Sequence, residues 1–216
     1  MTYLYQISKP GKTDPSTPVL VTLHGMGTDY HDLASIAADG EKNFVQINIQ
    51  GDLTFSSGYT YYIPDFTAQS EKRVITGTMA KLEHALADIY QKEGLSSRQP
   101  LFFLGFSQGA ILSLSYALLH PDTAAGAVVL SGRLPDFFQS ETITCSQEPK
   151  PAFFIGHGRF DPLFPVEKGR SIDRFLRESG LDADYHDYPT GHSVTETEVD
   201  DLRNWIADHF HSRKKQ

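Results

Sequence analysis

Cysteine is almost missing from this chain. Cys145 is the only one in 216 residues, so no disulfide can form within it, and a reducing, cytoplasmic setting is the expected home. Long hydrophobic runs are missing too, with nothing approaching the ~20 apolar residues that span a bilayer. The opening MTYLYQISKPGKTD has neither the basic nor the apolar region of a secretory signal, so neither export nor membrane insertion is expected. Positive charge is scarce: 19 Lys and Arg against 27 Asp and Glu leave a formal net charge of −8. That balance argues against sequence-independent nucleic-acid binding, which needs a basic face. The one basic cluster, Arg213, Lys214 and Lys215, reads as a solvated helix end. Repeats and low-complexity linkers are absent. What remains, 39% hydrophobic and 21% charged, is the composition of a water-soluble globular protein, and the length suits one domain over residues 1–216.

Short apolar runs alternate with longer helical patterns. Strands are expected at Val19–His24, Phe44–Ile49, Leu101–Phe106, Ala127–Ser131, Ala152–His157 and Ala183–Tyr188. Most are continuous apolar runs, as in parallel strands covered on both faces. Tyr3–Ser8 alternates instead and suits an edge strand. Between Glu71 and Glu93 the residues Val74, Ile75, Met79, Leu82, Leu86 and Ile89 recur at spacings of three and four, a buried helical stripe stopped by Gly94. Helices are likewise expected over Gln108–Leu119, Val166–Ser179 and Thr195–Phe210. This alternation predicts an α/β fold, a mostly parallel sheet flanked by helices on both faces. In such sheets ligands bind beyond the carboxyl ends of the strands, so chemistry is sought there.

At one such end LFFLGF runs into Ser107 and on into a helical stretch, giving GFSQG. That is the strand–turn–helix context of a nucleophile elbow, in which flanking glycines let the backbone turn tightly enough to expose the serine hydroxyl. The pattern alone is weak, because roughly one random chain in fifteen of this length contains it, and a helix N-cap serine is the plainer reading. A serine hydroxyl needs a base, and the base an orienting carboxylate, in the chain order Ser, Asp, His for this kind of sheet. Asp161, in GHGRFDPLFP after one strand, and His192, in YPTGHSV after the next, fill those places. Taken singly they read as an Asx-turn and a loop histidine; three strand-end matches in order make coincidence a poor account. An oxyanion needs two backbone N–H donors, expected from Gln108 and from Met26 in LHGMGTD, a loop after VLVT that matches no phosphate-loop pattern.

The other titratable residues compete less well. His24 and His157 precede the groups they would have to follow, His209 and His211 point different ways on a helix, and Cys145 has no elbow around it. Asp29, His31 and Asp32 resemble a metal cluster but sit where capping and surface polarity suffice. No metal or organic cofactor is called for.

Together LHGMGTDYHDL, GFSQGA, GHGRFDPLFP and PTGHSV resemble the phospholipase/carboxylesterase family of the α/β-hydrolase superfamily, which includes bacterial carboxylesterases and acyl-protein thioesterases. The resemblance implies Ser107 as nucleophile, Asp161 as acid, His192 as base, and the N–H groups of Met26 and Gln108 as oxyanion hole. Where family members often carry a Trp-Phe or Trp-Tyr pair, this chain has Tyr61-Tyr62. Those tyrosines, with Phe164, are the candidate pocket residues, and a pocket they rim would be polar. The stretch Arg133–Lys150 is too short for a lid domain, so an open site for short or medium acyl esters is expected. The partner is then a small ester or thioester, with the chain a monomer or a homodimer. A lactonase resembling dienelactone hydrolase and a small acyl thioesterase use the same three residues. A non-enzymatic rival, a binder of a small carboxylate or ester on a hydrolase scaffold, draws on Arg133 and Arg159.

Overall fold

The computed structural model describes residues 3–37 and 43–213. In chain order its elements are β1 (Tyr5–Ser8), β2 (Val19–Leu23), β3 (Val45–Ile49), β4 (Leu53–Phe55), β5 (Gly58–Thr60), α1 (Glu71–Glu93), β6 (Leu101–Phe106), α2 (Gln108–Leu119), β7 (Ala124–Leu130), β8 (Ala152–Gly158), α3 (Glu167–Glu178), β9 (Asp182–Tyr188) and α4 (Glu196–Arg213), with a short 3-10 turn at Asp136–Ser140. Seven strands form one sheet in the order β1-β3-β2-β6-β7-β8-β9. All neighbours are parallel except β1, which runs antiparallel along β3. This is the expected α/β-hydrolase architecture, and no separate lid domain is present among the described residues. Lys214 and Lys215 lie outside the described residues.

The sheet forms because its central strands have no polar face to show. Every residue of β2, β3, β7 and β8 is buried, which only helices on both sides can arrange. One core gathers Val21, Ile47, Phe103, Val129 and Ile155 beneath α1, α2 and α3, through Ile75, Leu112 and Ile172 among others. The other gathers Leu20, Phe102, Val128 and Phe154 beneath α4, through Leu202, Trp205 and Phe210. Helix α1 starts at Ser70, whose side chain accepts from the Arg73 N–H, and stops at Gly94 in a left-handed turn (φ 66°). No described helix is long and apolar enough to cross a membrane.

The strand readings miss the hairpin β4–β5, whose three-residue strands are too short to show alternation. Its position matters. The Gly27 N–H donates to the Tyr59 carbonyl at 2.8 Å, tying the hairpin to the loop after β2.

Replacing Phe102, buried between Trp205 and Phe210 with ring centroids at 6.3 and 4.6 Å, by alanine is expected to cost about 3–5 kcal/mol of unfolding free energy in urea titrations. A loss below about 1 kcal/mol would show that this face repacks freely.

Candidate active site

Strand β6 delivers Ser107 above the sheet through a turn with no room for side chains. A Cβ on Gly105 would sit 2.1 Å from the Gly109 carbonyl oxygen, and one on Gly109 would sit 1.8 Å from the Leu23 carbonyl oxygen. Both contacts are with backbone, so neither can yield. Ser107 itself is held at φ 54°, ψ −113°, a conformation that costs a non-glycine residue a few kcal/mol and persists where surroundings over-determine it. Its N–H donates to the Leu130 carbonyl at 2.9 Å. Although Ser107 stands at the N-cap position of α2, its side chain makes no capping bond. The N-cap reading therefore fails, and the hydroxyl is free for another partner.

That partner is His192. Its Nε2 lies 2.8 Å from Ser107 Oγ, and its Nδ1 lies 2.7 Å from Asp161 Oδ2. Asp161 is buried; its other oxygen accepts from the N–H groups of Leu163 and Phe164 at 2.8 and 2.9 Å. The two oxygens of Asp161 are thus divided, one held by its own turn and the other by the His192 ring. Burial alone would push the Asp161 carboxyl up, but the hydrogen bonds from His192 and from the two backbone N–H groups outweigh it and hold the group below its ordinary range. A charged carboxylate fixes the Nδ1–H tautomer of His192 and leaves Nε2 to accept from the serine. The imidazole lies between two rings, Phe106 at 4.9 Å and Phe164 at 5.8 Å between centroids. His157 serves this assembly from below. Fully buried, it donates from Nε2 to the Phe164 carbonyl at 2.7 Å, steadying the turn that presents Asp161.

The loop after β2 comes up against Ser107: a Cβ on Gly25 would lie 3.7 Å from the Ser107 Cβ. Among the described residues the N–H groups of Met26 and Gln108 have no acceptor. The buried His24 shapes the loop. Its Nδ1–H donates to the Gly25 carbonyl at 2.6 Å while Nε2 accepts from the Gly51 N–H at 2.9 Å, and burial lowers its proton affinity, so it stays neutral.

The expected tyrosine rim is corrected. Tyr61 and Tyr62 are 1% and 4% exposed. The Tyr61 hydroxyl donates to the Ile49 carbonyl at 2.7 Å and accepts from the His24 N–H at 3.1 Å, so it is a strut between two strand ends. The side chain of Gln108 holds the same segment: Oε1 accepts from Thr60 Oγ1 and the Tyr61 N–H at 2.7 and 2.9 Å, and Nε2 donates to the Tyr62 carbonyl at 2.9 Å. A phenol that must bond backbone groups is drawn beneath the loop, where the composition of the sequence cannot place it. Phe164, half-buried, does border the imidazole. The two arginines offered for an acidic ligand are engaged, Arg133 with Glu71 and Arg159 with Asp187. His31 sits beside Asp29 at 3.1 Å, and Asp32 accepts from Thr28.

A family model described as Phospholipase/Carboxylesterase matches residues 7–210. The chain belongs to that family. Among its relatives is the carboxylesterase SOBER1 of Arabidopsis thaliana, 36% identical over 128 residues that cover 57% of this chain and 54% of that protein. Another, from Oryza sativa subsp. japonica, is described as a "probable inactive carboxylesterase" and is 34% identical over 132 residues, covering 59% of this chain and 52% of it. The chain spans about half the length of these curated relatives. The crystal structure of a Bacillus cereus carboxylesterase superposes with a TM-score of 0.82 at 18% identity, covering 96% of this chain and 94% of that one. Because the family holds members described as active and as inactive, membership alone does not decide activity. The local geometry must.

One buried acid lies outside the Ser, Asp, His pattern. Glu198, 1% exposed, lies in the first turn of α4, just after the loop that carries His192. With Thr195 it forms a reciprocal cap: the Glu198 N–H donates to Thr195 Oγ1 at 3.2 Å, and Glu198 Oε2 accepts from the Thr195 N–H at 3.4 Å. The spacing T-x-x-E is a capping-box signal and was available in the sequence. Oε1 has no partner among the described residues and packs on Gly156, where any Cβ would approach it to 2.2 Å. Burial raises this carboxyl from 4.5 to about 7, against the opposing bond from Thr195.

Two outcomes follow from this geometry. Gly109→Ala should abolish the folded elbow, seen as loss of soluble protein or of the cooperative thermal transition, whereas Gly77→Ala, with open space around it, should leave both intact. For Glu198, a raised folded-state value means that stability is greatest when both states are protonated, declines as pH rises from about 4.5 to about 7, and stays low above that. Glu198→Gln removes this titration. Its stability relative to the native chain should improve by up to about 3 kcal/mol between pH 4 and pH 8 in urea unfolding, and a constant difference across that range would refute the buried neutral acid.

Proposed function

We propose that the chain is a serine hydrolase that cleaves carboxylic esters through an acyl-enzyme on Ser107. The observation that carries this reading is the pair of bonds made by His192, 2.8 Å to Ser107 Oγ and 2.7 Å to Asp161 Oδ2, above the carboxyl ends of the parallel strands. Names borne by the family relatives, carboxylesterase and acyl-protein thioesterase, agree with it.

In the proposed cycle His192 Nε2 takes the hydroxyl proton as Ser107 Oγ attacks the ester carbonyl carbon. The carbonyl π electrons move to oxygen, and the N–H groups of Met26 and Gln108 stabilise that oxyanion. Each such donor typically contributes about 3–4 kcal/mol. The imidazolium, stabilised by the Asp161 carboxylate, returns its proton to the leaving alkoxide as the ester C–O bond breaks. Water then enters, gives its proton to His192, and attacks the acyl carbon; the serine departs with that proton. Ester and thioester differ only in the leaving atom, so both chemistries fit these groups. The leaving thiolate needs less proton assistance than an alkoxide, which makes the ester the more demanding test of His192.

With buried tyrosines the sequence argument for a polar pocket falls, and what remains behind the expectation of short or medium acyl groups is the stretch Arg133–Lys150, too short for a lid domain, which sets no chain length. The substrate reading therefore rests at the level of carboxylic esters.

Ser107→Ala should lower kcat for p-nitrophenyl acetate and butyrate by about 10⁵-fold or more with an unchanged thermal transition, and should no longer be labelled by a fluorophosphonate. Retained turnover would remove Ser107 from the mechanism. Asp161→Asn should cost about 10⁴-fold in kcat, because an amide no longer dictates the His192 tautomer. If the native, folded chain neither hydrolyses these esters nor takes the label, the binding-protein reading replaces the enzymatic one.

A further inference from the structure

The loop that carries His192, residues 189–195, is tied at both ends to side chains of one helix. At its start the Tyr188 hydroxyl donates to Asp201 Oδ2 at 2.9 Å. At its end stands the reciprocal cap of Thr195 and Glu198, with Thr195 N–H to Glu198 Oε2 at 3.4 Å and Glu198 N–H to Thr195 Oγ1 at 3.2 Å. Glu198 and Asp201 are three positions apart near the start of α4, so they stand on one face of the helix. Between the two ties the loop crosses β8 closely: a Cβ on Gly158 would lie 2.0 Å from the Gly191 carbonyl oxygen. The Phe160 N–H donates to the Thr190 carbonyl at 2.9 Å, and Val194 packs into the core beneath α4. The height of the imidazole above the sheet is therefore set by how the start of α4 seats.

Of these two acids Glu198 is the buried one. One oxygen serves Thr195, while Oε1 is turned onto Gly156 of β8 and has no partner among the described residues. A carboxylate in that seat would be a buried charge without a counter-ion, which is costly. The surroundings supply no counter-ion. The charge facing it from α4 is Asp201, of the same sign. From β9 come Tyr188, committed to Asp201, and Asp184, which holds His186 at 2.9 Å. Gly156 of β8 and Leu130 of β7, which meet at this seat, carry no charge. Burial, with Asp201 adding to it and the Thr195 bond opposing, raises the carboxyl to about 7. A neutral acid fits this seat. An ionised one is drawn toward water, and its bond to Thr195 goes with it.

We propose that Glu198 is a positioning residue for ester cleavage: as a neutral acid wedged between Thr195 and Gly156, it holds the His192 loop where the imidazole meets both Ser107 and Asp161. Glu198 touches no reacting atom and acts through the loop alone. When it ionises, the loop loses its tie to α4 and the base loses alignment, while Ser107 stays fixed by the elbow. The role rests on the reading of His192 as the base of an acyl-enzyme cycle. The competent form is the protonated one, so positioning is present below about 7 and is lost as pH rises through it.

The test measures kcat for p-nitrophenyl acetate against pH, well below the thermal transition. Beside it runs the low-field proton resonance of His192 Nδ1–H, which reports the bond to Asp161 without turnover. Glu198→Gln is a neutral isostere that keeps an acceptor for Thr195, so the ratio of native to variant kcat cancels the titration of His192. That ratio should stay within about twofold of one at about pH 6 and fall by about tenfold or more by about pH 8.5. Glu198→Ala, which empties the seat, should lose about tenfold or more in kcat at both pH values, with KM changed less than about threefold, and should lose the low-field resonance. Gly156→Ala, which displaces an intact Glu198, should behave the same way. The proposal is overturned by a flat native-to-Gln ratio, or by a folded Glu198→Ala whose kcat stays within about twofold of native. Should Glu198→Ala not fold, the Gln ratio decides alone. Should the native chain neither cleave esters nor take a fluorophosphonate, the catalytic reading falls and the resonance decides: its loss in Glu198→Ala upholds the positioning of His192, and its persistence there overturns it.

Discussion

The arrangement depends on one steric constraint, the near-contact of backbone with backbone where β6 turns into α2. Gly109 passes so close to the end of β2 that the Leu23 carbonyl occupies the place of a side chain, and Gly105 is crossed the same way by the first turn of the helix. Because the turn is that tight, Ser107 is forced out above the sheet at a positive φ, and the helix starts directly beneath it with unsatisfied N–H groups. The same closeness sets the loop after β2 against Ser107. Everything else at the site is arranged around a serine that the chain cannot move.

Positioning then spreads outward through polar groups that are satisfied twice. Asp161 divides its two oxygens between His192 and its own turn, while His157 braces that turn through the Phe164 carbonyl. His24 uses both ring nitrogens on backbone, one on Gly25 and one on Gly51. Buried polar groups with fixed partners are rigid, and rigidity is what electrostatic stabilisation requires. The strain at Ser107 is therefore carried by a stiff surround, as sites of this kind demand.

Much of this was legible in residue order, for a physical reason. Parallel strands buried on both faces are continuous apolar runs, so β2, β6 and β8 announced themselves, and the capped stripe of α1 fixed that helix to the residue. Ser107, Asp161 and His192 could be picked out together because each stands where such a run stops, and the fold brings the three within hydrogen-bond distance. The short hairpin β4–β5 could not, since three residues carry no period. Nor could the fate of Tyr61. A tyrosine after a strand suits a pocket rim and a buried strut equally well, and only the positions of the Ile49 carbonyl and the His24 N–H choose between them. Glu198 was readable as a capping residue, but not as an acid whose second oxygen lies unpartnered against Gly156, because that takes knowing which strand the helix covers.

Gln108 has a consequence of another kind. Its main-chain N–H has no acceptor among the described residues, while its amide side chain is spent on three bonds to Thr60, Tyr61 and Tyr62. One residue thereby joins the start of α2 to a segment some fifty positions earlier in the chain. The elbow and the hairpin are not interchangeable modules: grafting either from another family member without its counterpart would leave a buried amide or a buried peptide carbonyl without its mate. The hairpin, whose strand β4 is exposed throughout, is moored at its root by these bonds.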